Sequence, residues 1–90
     1  MDKKLTSEQV QQSLQGLSGW ELKSQEITKQ FKFKDFAEAL AFVNNVGQMA
    51  ETADHHPDID IRYNKVRLTL STHSAGGLTE KDFALARKIG

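Results

Sequence analysis

The sequence predicts an α+β fold: a four-stranded antiparallel sheet with three helices packed on one face, in the order helix, two strands, helix, two strands, helix. Two observations predict it. Apolar residues alternate with polar ones in two pairs of neighbouring short segments, and recur at helical spacing in three others. Only a few residues separate the strands of each pair, which suits a hairpin and is too short for the crossover that parallel strands need. The 90 residues, 1–90, make one small domain.

The first helix starts near Thr6, a capping residue with Gln9 three positions on, and Leu5 can pack on Val10 as a staple. Val10, Leu14 and Leu17 form its stripe, and Gly16 and Gly19 end it. A strand over 20–24 follows. In the next strand Ile27, Lys29, Phe31 and Phe33 alternate with Thr28, Gln30 and Lys32, so one face is buried and the Lys29 stem lies near its edge. Its lysines read as the solvated side of an edge strand.

Asp35 caps the long central helix, with Glu38 completing an acidic capping box. Phe36, Ala39, Leu40, Phe42, Val43, Val46, Met49 and Ala50 make a wide stripe that marks the spine of the core. Gly47 is out of place there, costing about 1 kcal/mol relative to alanine, and suggests close packing by another element. The helix must stop before Pro57, which leaves His55 and His56 in its last turn. A third strand carries Ile59, Ile61 and Tyr63, Asn64 and Lys65 turn the chain, and a fourth strand runs from Val66 to His73. The loop 74–77 leads to a last helix capped by Thr79, with Phe83, Leu85, Ala86 and Ile89 on its apolar face.

Composition removes several classes of function. Lys plus Arg and Asp plus Glu each number 12, for a net charge of zero. That argues against direct nucleic-acid binding and against a polybasic membrane anchor. There is no cysteine, so thiol catalysis and disulfides are excluded. The polar N-terminus lacks the apolar run of a signal peptide, and a cytoplasmic protein is expected.

The chemistry points to the three histidines, His55, His56 and His73. Two close the long helix and one closes the fourth strand, so the elements can converge on a cleft. Imidazole, with an ordinary pKa of about 6.5, donates and accepts protons near neutrality. Glu51 and His55 share a helix face, and Asp54 stands ready to orient an imidazole. Ser71 and His73 share a strand face, and Thr72 and Ser74 add small hydrogen-bonding groups. A three-histidine zinc site is the rival. Consecutive helical residues project about 100° apart, however, so His55 and His56 chelate one ion poorly, and no metal is expected. The bland alternative is that the pair simply meets the negative end of the helix dipole.

These residues also carry a resemblance. The runs ETADHHP at 51–57, YNKV at 63–66, LSTH at 70–73 and GLTEKD at 77–82, with GW at 19–20 and KQFKFKDF at 29–36, closely resemble the pterin-4a-carbinolamine dehydratases. That family is also known as the dimerisation cofactor of a homeodomain transcription factor. The likeness covers roughly residues 20–86. It implies the same α+β fold, and a reaction in which 4a-hydroxytetrahydrobiopterin loses water to give quinonoid dihydropterin, in the recycling linked to aromatic amino acid hydroxylation. It further implies His55, His56 and His73 as catalytic residues and Asp54, Ser71, Thr72 and Ser74 as substrate-binding ones. Glu51, Trp20, Asp82 and Pro57 would be supporting residues. The pterin would be the substrate, no cofactor would be needed, and the chain would form a homodimer or homotetramer. Ile59 stands where the family often has tryptophan. A non-catalytic dimerisation, coactivator or regulatory module of the same fold is the alternative.

Overall fold

A computed structural model describes residues 3–90; the first two residues of the expected domain lie outside the described residues. Among the described residues the elements are α1 (Ser7–Leu14), β1 (Glu21–Lys23), β2 (Glu26–Lys32), α2 (Phe36–Ala53), β3 (Asp58–Arg62), β4 (Lys65–Leu70), a single 3₁₀ turn at His73–Ala75, and α3 (Glu80–Ile89). The sheet is antiparallel throughout, in the order β1-β2-β4-β3. The α+β order expected from periodicity is therefore the order observed.

Local chemistry accounts for the helix starts. Thr6 Oγ1 accepts from Gln9 N at 3.2 Å, and Gln9 Oε1 accepts from Thr6 N at 2.9 Å, a complete capping box. Asp35 caps α2 by accepting from Glu38 N at 2.9 Å. The Glu38 carboxylate reaches one residue further back than a capping box requires, accepting from Lys34 N. Thr79 and Asp82 complete a second full capping box at α3.

Register decides what is buried. Ile27 faces Leu70, Lys29 faces Leu68 and Phe31 faces Val66 across β2 and β4, while Ile59 and Ile61 of β3 face Leu68 and Val66. Ile27, Val66, Leu68 and Leu70 are fully buried, and α2 and α3 close over them with Ala39, Val46, Phe83, Leu85 and Ala86. Phe42 lies 4.6 Å from Phe31 and 4.9 Å from Phe33, ring centre to ring centre. Lys29 keeps its ammonium at the rim of this face, 4.9 Å from the Phe31 ring centre and donating to Ser18 O at 3.0 Å.

Four expectations need correction. Phe36 and Leu40 are not core: they are 45% and 40% exposed, because the apolar stripe of α2 is wider than the sheet beneath it. β2 is not an edge strand in the sheet order. β1 pairs only with residues 26–28, so residues 29–32 keep a strand neighbour on one side; Lys32 is exposed there, while Lys29 is half-buried on the core side with its ammonium at the rim. The β3–β4 turn is Tyr63 and Asn64, since Arg62 pairs with Lys65. Tyr63 takes φ +53°, and Asn64 anchors the turn by donating from Nδ2 to Phe33 O at 2.9 Å. Finally, β4 stops at Leu70, so His73 lies beyond the strand.

Among the described residues no element packs closely on Gly47, since an added Cβ there would meet nothing within 4 Å. It lines an open groove of about 890 Å³ with Val43, Asn44, Gln48, Glu51, Thr52 and Ile59. Gly47→Ala is therefore expected to raise stability by about 0.5–1 kcal/mol through helix propensity, measured by chemical denaturation. A loss of stability would show that another chain packs against this groove.

Candidate active site

The end of α2 builds the first part of the site. Asp54 caps the helix in the left-handed region at φ +51°, donating its N–H to the Ala50 and Glu51 carbonyls. Aspartate tolerates this conformation better than most residues. The turn also brings the His55 N–H onto the Ala50 carbonyl at 3.1 Å. Beyond it the two histidines part company: His55 is buried and His56 is exposed.

Each imidazole is held by a carboxylate. His55 Nε2 lies 2.5 Å from Asp82 Oδ1, with the Asp82 side chain fully buried. His56 Nε2 lies 2.5 Å from Glu51 Oε2, in solvent. Glu51 was expected to share a face with His55. The left-handed residue at 54 breaks helical spacing, so Glu51 meets His56 instead. Asp54, expected to orient an imidazole, makes no hydrogen bond to either ring; Asp82 and Glu51 do that work.

Asp82 is the hub of a buried network. Its Oδ2 accepts from Thr72 Oγ1 at 2.7 Å and from Thr79 N at 2.9 Å. Thr72 Oγ1 and Thr79 Oγ1 are 2.8 Å apart. A buried carboxylate is costly unless its oxygens are satisfied. Here both oxygens are used, and the network ties the end of α2, the segment after β4 and the start of α3 into one unit.

That tie positions the third histidine. Thr72 forms a bridge with Gly77, which closes the intervening residues into a tight loop. His73 opens the 3₁₀ turn inside it, so Ser71 and His73 do not share a strand face as expected. His73 and Ser74 are exposed and Thr72 is buried. Ser71, Thr72 and His73 line a cleft of about 300 Å³ together with Ser24, Gln25 and Glu26 from the β1–β2 turn. That turn was visible in the sequence as a break between strands, but nothing marked it as a neighbour of His73.

His55 lines a separate depression of about 170 Å³ with Ala53, Lys81, Ala84, Leu85 and Lys88. The His55 and His73 segments are thus joined through Asp82 and Thr72 while opening to different hollows. Trp20 belongs to the core. It is buried edge-on to Phe31 at 6.4 Å, and its Nε1 has no hydrogen-bond partner among the described residues. Pro57, half-buried, follows His56 directly into β3. Among the described residues no group of three or more histidine or acidic side chains is gathered to hold a metal ion, and no helix is long and apolar enough to cross a membrane.

Residues 3–90 match the family model described as pterin 4 alpha carbinolamine dehydratase. The chain is 55% identical over 85 residues to a provisionally named pterin-4-alpha-carbinolamine dehydratase of Acidobacterium capsulatum, spanning 94% of this chain and 92% of that one. It is similar to the crystal structure of a transcriptional coactivator/pterin dehydratase from Brucella melitensis, with TM-score 0.93, 42% identity and coverage of 97% and 95%. A more distant likeness, with TM-score 0.63, 25% identity and coverage of 78% and 81%, is to a pterin dehydratase-like protein identified as a RuBisCO assembly factor in the alpha-carboxysome.

Proposed function

The chain belongs to the pterin 4 alpha carbinolamine dehydratase family, and from that premise we propose that it dehydrates 4a-hydroxytetrahydrobiopterin to quinonoid dihydropterin. It does so as a cytoplasmic homodimer or homotetramer, in the recycling that follows aromatic amino acid hydroxylation. The observation that carries the reading is the pair of carboxylate-held imidazoles at the end of α2, locked through Asp82 and Thr72 to the turn bearing His73.

The reaction asks for little beyond proton transfer. A proton goes to the C4a hydroxyl, the C–O bond breaks and water leaves. A ring nitrogen supplies the electron pair and sheds its own proton to a base. One of His55 and His56 delivers the first proton, and His73 stands on the other side of the ring. Glu51 and Asp82 hold the first two rings. Asp54, Ser71 and Ser74 meet the donors and acceptors of the heterocycle, and Thr72, its hydroxyl held between Asp82 and Thr79, lines the cleft beside them. Neither a cofactor nor a metal is needed.

The test is dehydration of chemically generated 4a-hydroxytetrahydropterin, followed by ultraviolet absorbance. Wild type should accelerate it over the spontaneous rate, and chelator should make no difference. No acceleration by folded protein would sink the catalytic claim.

A second reading rests on α2. Phe36 and Leu40 are exposed on the same helix whose outer groove runs from Val43 to Thr52. On that reading the chain is a dimerisation, coactivator or regulatory module, and a protein partner rather than a pterin would be its ligand.

A further inference from the structure

We infer that Asp82 is a positioning residue that fixes the Nε2–H tautomer of the His55 ring and leaves Nδ1 as the atom that exchanges protons with substrate. The inference deepens the dehydratase reading and rests on it for the catalytic consequence alone.

The direction of every hydrogen bond in the network can be worked out from one fixed point. The Thr79 N–H can only donate, and it donates to Asp82 Oδ2 at 2.9 Å. Thr72 Oγ1 gives its single proton to the same oxygen at 2.7 Å. Thr72 therefore has no proton left for Thr79, 2.8 Å away, and the Thr79 hydroxyl must donate to Thr72. Thr79 Oγ1 in turn accepts from Lys81 N at 3.2 Å. All of these donors run toward the carboxylate.

Oδ1 is then left for His55 Nε2, 2.5 Å away and buried. Imidazole is intrinsically more basic than carboxylate, so the shared proton belongs on Nε2. In the neutral ring this places the lone pair on Nδ1. A ring without that partner would distribute its proton between the two nitrogens, and only one arrangement presents a base at Nδ1. Asp82 does two things at once: Oδ2 caps α3 and Oδ1 sets the histidine. The capping contact makes the carboxylate rigid, which is what orienting a ring requires.

Asp82→Asn is the informative substitution because its geometry is forced. The asparagine oxygen must stay with the Thr79 N–H, so its amide faces His55 and donates to Nε2. That drives the ring to the Nδ1–H form and removes the base. A similar exchange behind a catalytic histidine in serine proteases leaves the geometry intact and gives the wrong tautomer.

The experiment is long-range ¹H–¹⁵N correlation on histidine-labelled protein, with the His55 signals assigned by their loss in His55→Gln. Wild type should show a pyrrole-type Nε2 and a pyridine-type Nδ1. Asp82→Asn should invert the two and lower the dehydration rate at least tenfold. Thr72→Val, which loosens the network and keeps the carboxylate, should leave the tautomer unchanged. An Nδ1–H ring in wild type, which needs no variant to fold, would overturn the inference. So would inversion in Thr72→Val, or an Asp82→Asn protein that inverts the tautomer at full rate. If wild type shows the expected tautomer and does not accelerate dehydration, the dehydratase reading fails on its own and the catalytic part of the inference with it.

Discussion

Phe83→Ala is expected to destabilise the domain by about 3–5 kcal/mol, the usual cost of emptying a buried aromatic site. Phe83 is fully buried and heads the largest buried side chains. It lies on α3, which packs against α2 over the centre of the sheet. Small domains have only about 5–15 kcal/mol in total, so this one change removes a large share. The melting temperature should fall by roughly 15–30 °C, read by calorimetry or circular dichroism. Phe36→Ala provides the contrast. It removes the same atoms from a half-exposed site on α2, and a free monomer should lose well under half as much. A Phe83→Ala loss below about 1.5 kcal/mol would mean that α3 is not fastened through this residue.

Phe83 was legible in the sequence, and so was most of the fold, for a reason that separates what is local from what is not. Alternation in β2 and β4 and the capping residues Thr6, Asp35 and Thr79 act within a few residues of themselves. Their effects survive whatever the rest of the chain does. The width of a stripe does not behave that way. Phe36 and Leu40, four apart, fit the helical period as well as Ala39 and Val46, seven apart, and only the position of the sheet decides that the first pair faces outward. β4 ended earlier than its alternation suggested because Thr72 pairs with Gly77 within its own loop rather than continuing a ladder.

The site divides along the same line. That histidines gather near the end of α2 was readable from Pro57, which forces the helix to stop. That His55 goes inward while His56 stays in solvent was not, because the difference depends on a single left-handed residue at Asp54. The role of Asp82 was out of reach of any spacing rule. It lies 27 positions from His55, and its capping of α3 is itself visible only in the structure. The resemblance named Asp82 only as a supporting residue, and the geometry specifies what it supports. The buried network also explains why a domain this small can hold a defined site. One satisfied carboxylate joins three chain segments, so the side chains they carry cannot drift apart without exposing or orphaning it.

His56→Ala and His73→Ala are expected each to lower the dehydration rate by about 10² to 10⁴, the range that a positioned acid or base supplies. Both side chains are exposed, so neither substitution should move stability by more than about 0.5 kcal/mol, and the lost rate reports chemistry rather than unfolding. His55→Ala cannot be used this way. It strips the donor from Asp82 Oδ1 inside the protein, so stability and rate would fall together. The double variant His56→Ala with His73→Ala carries the stronger test. If one histidine delivers the proton and the other stands across the ring as its partner, removing the second should cost little once the first is gone, because groups that act as a unit are strongly non-additive. Single-turnover absorbance measurements on the three variants would read this directly. Multiplying losses would assign the two histidines to independent steps, and two fully active single variants beside an active wild type would move the proton transfers away from His56 and His73 altogether.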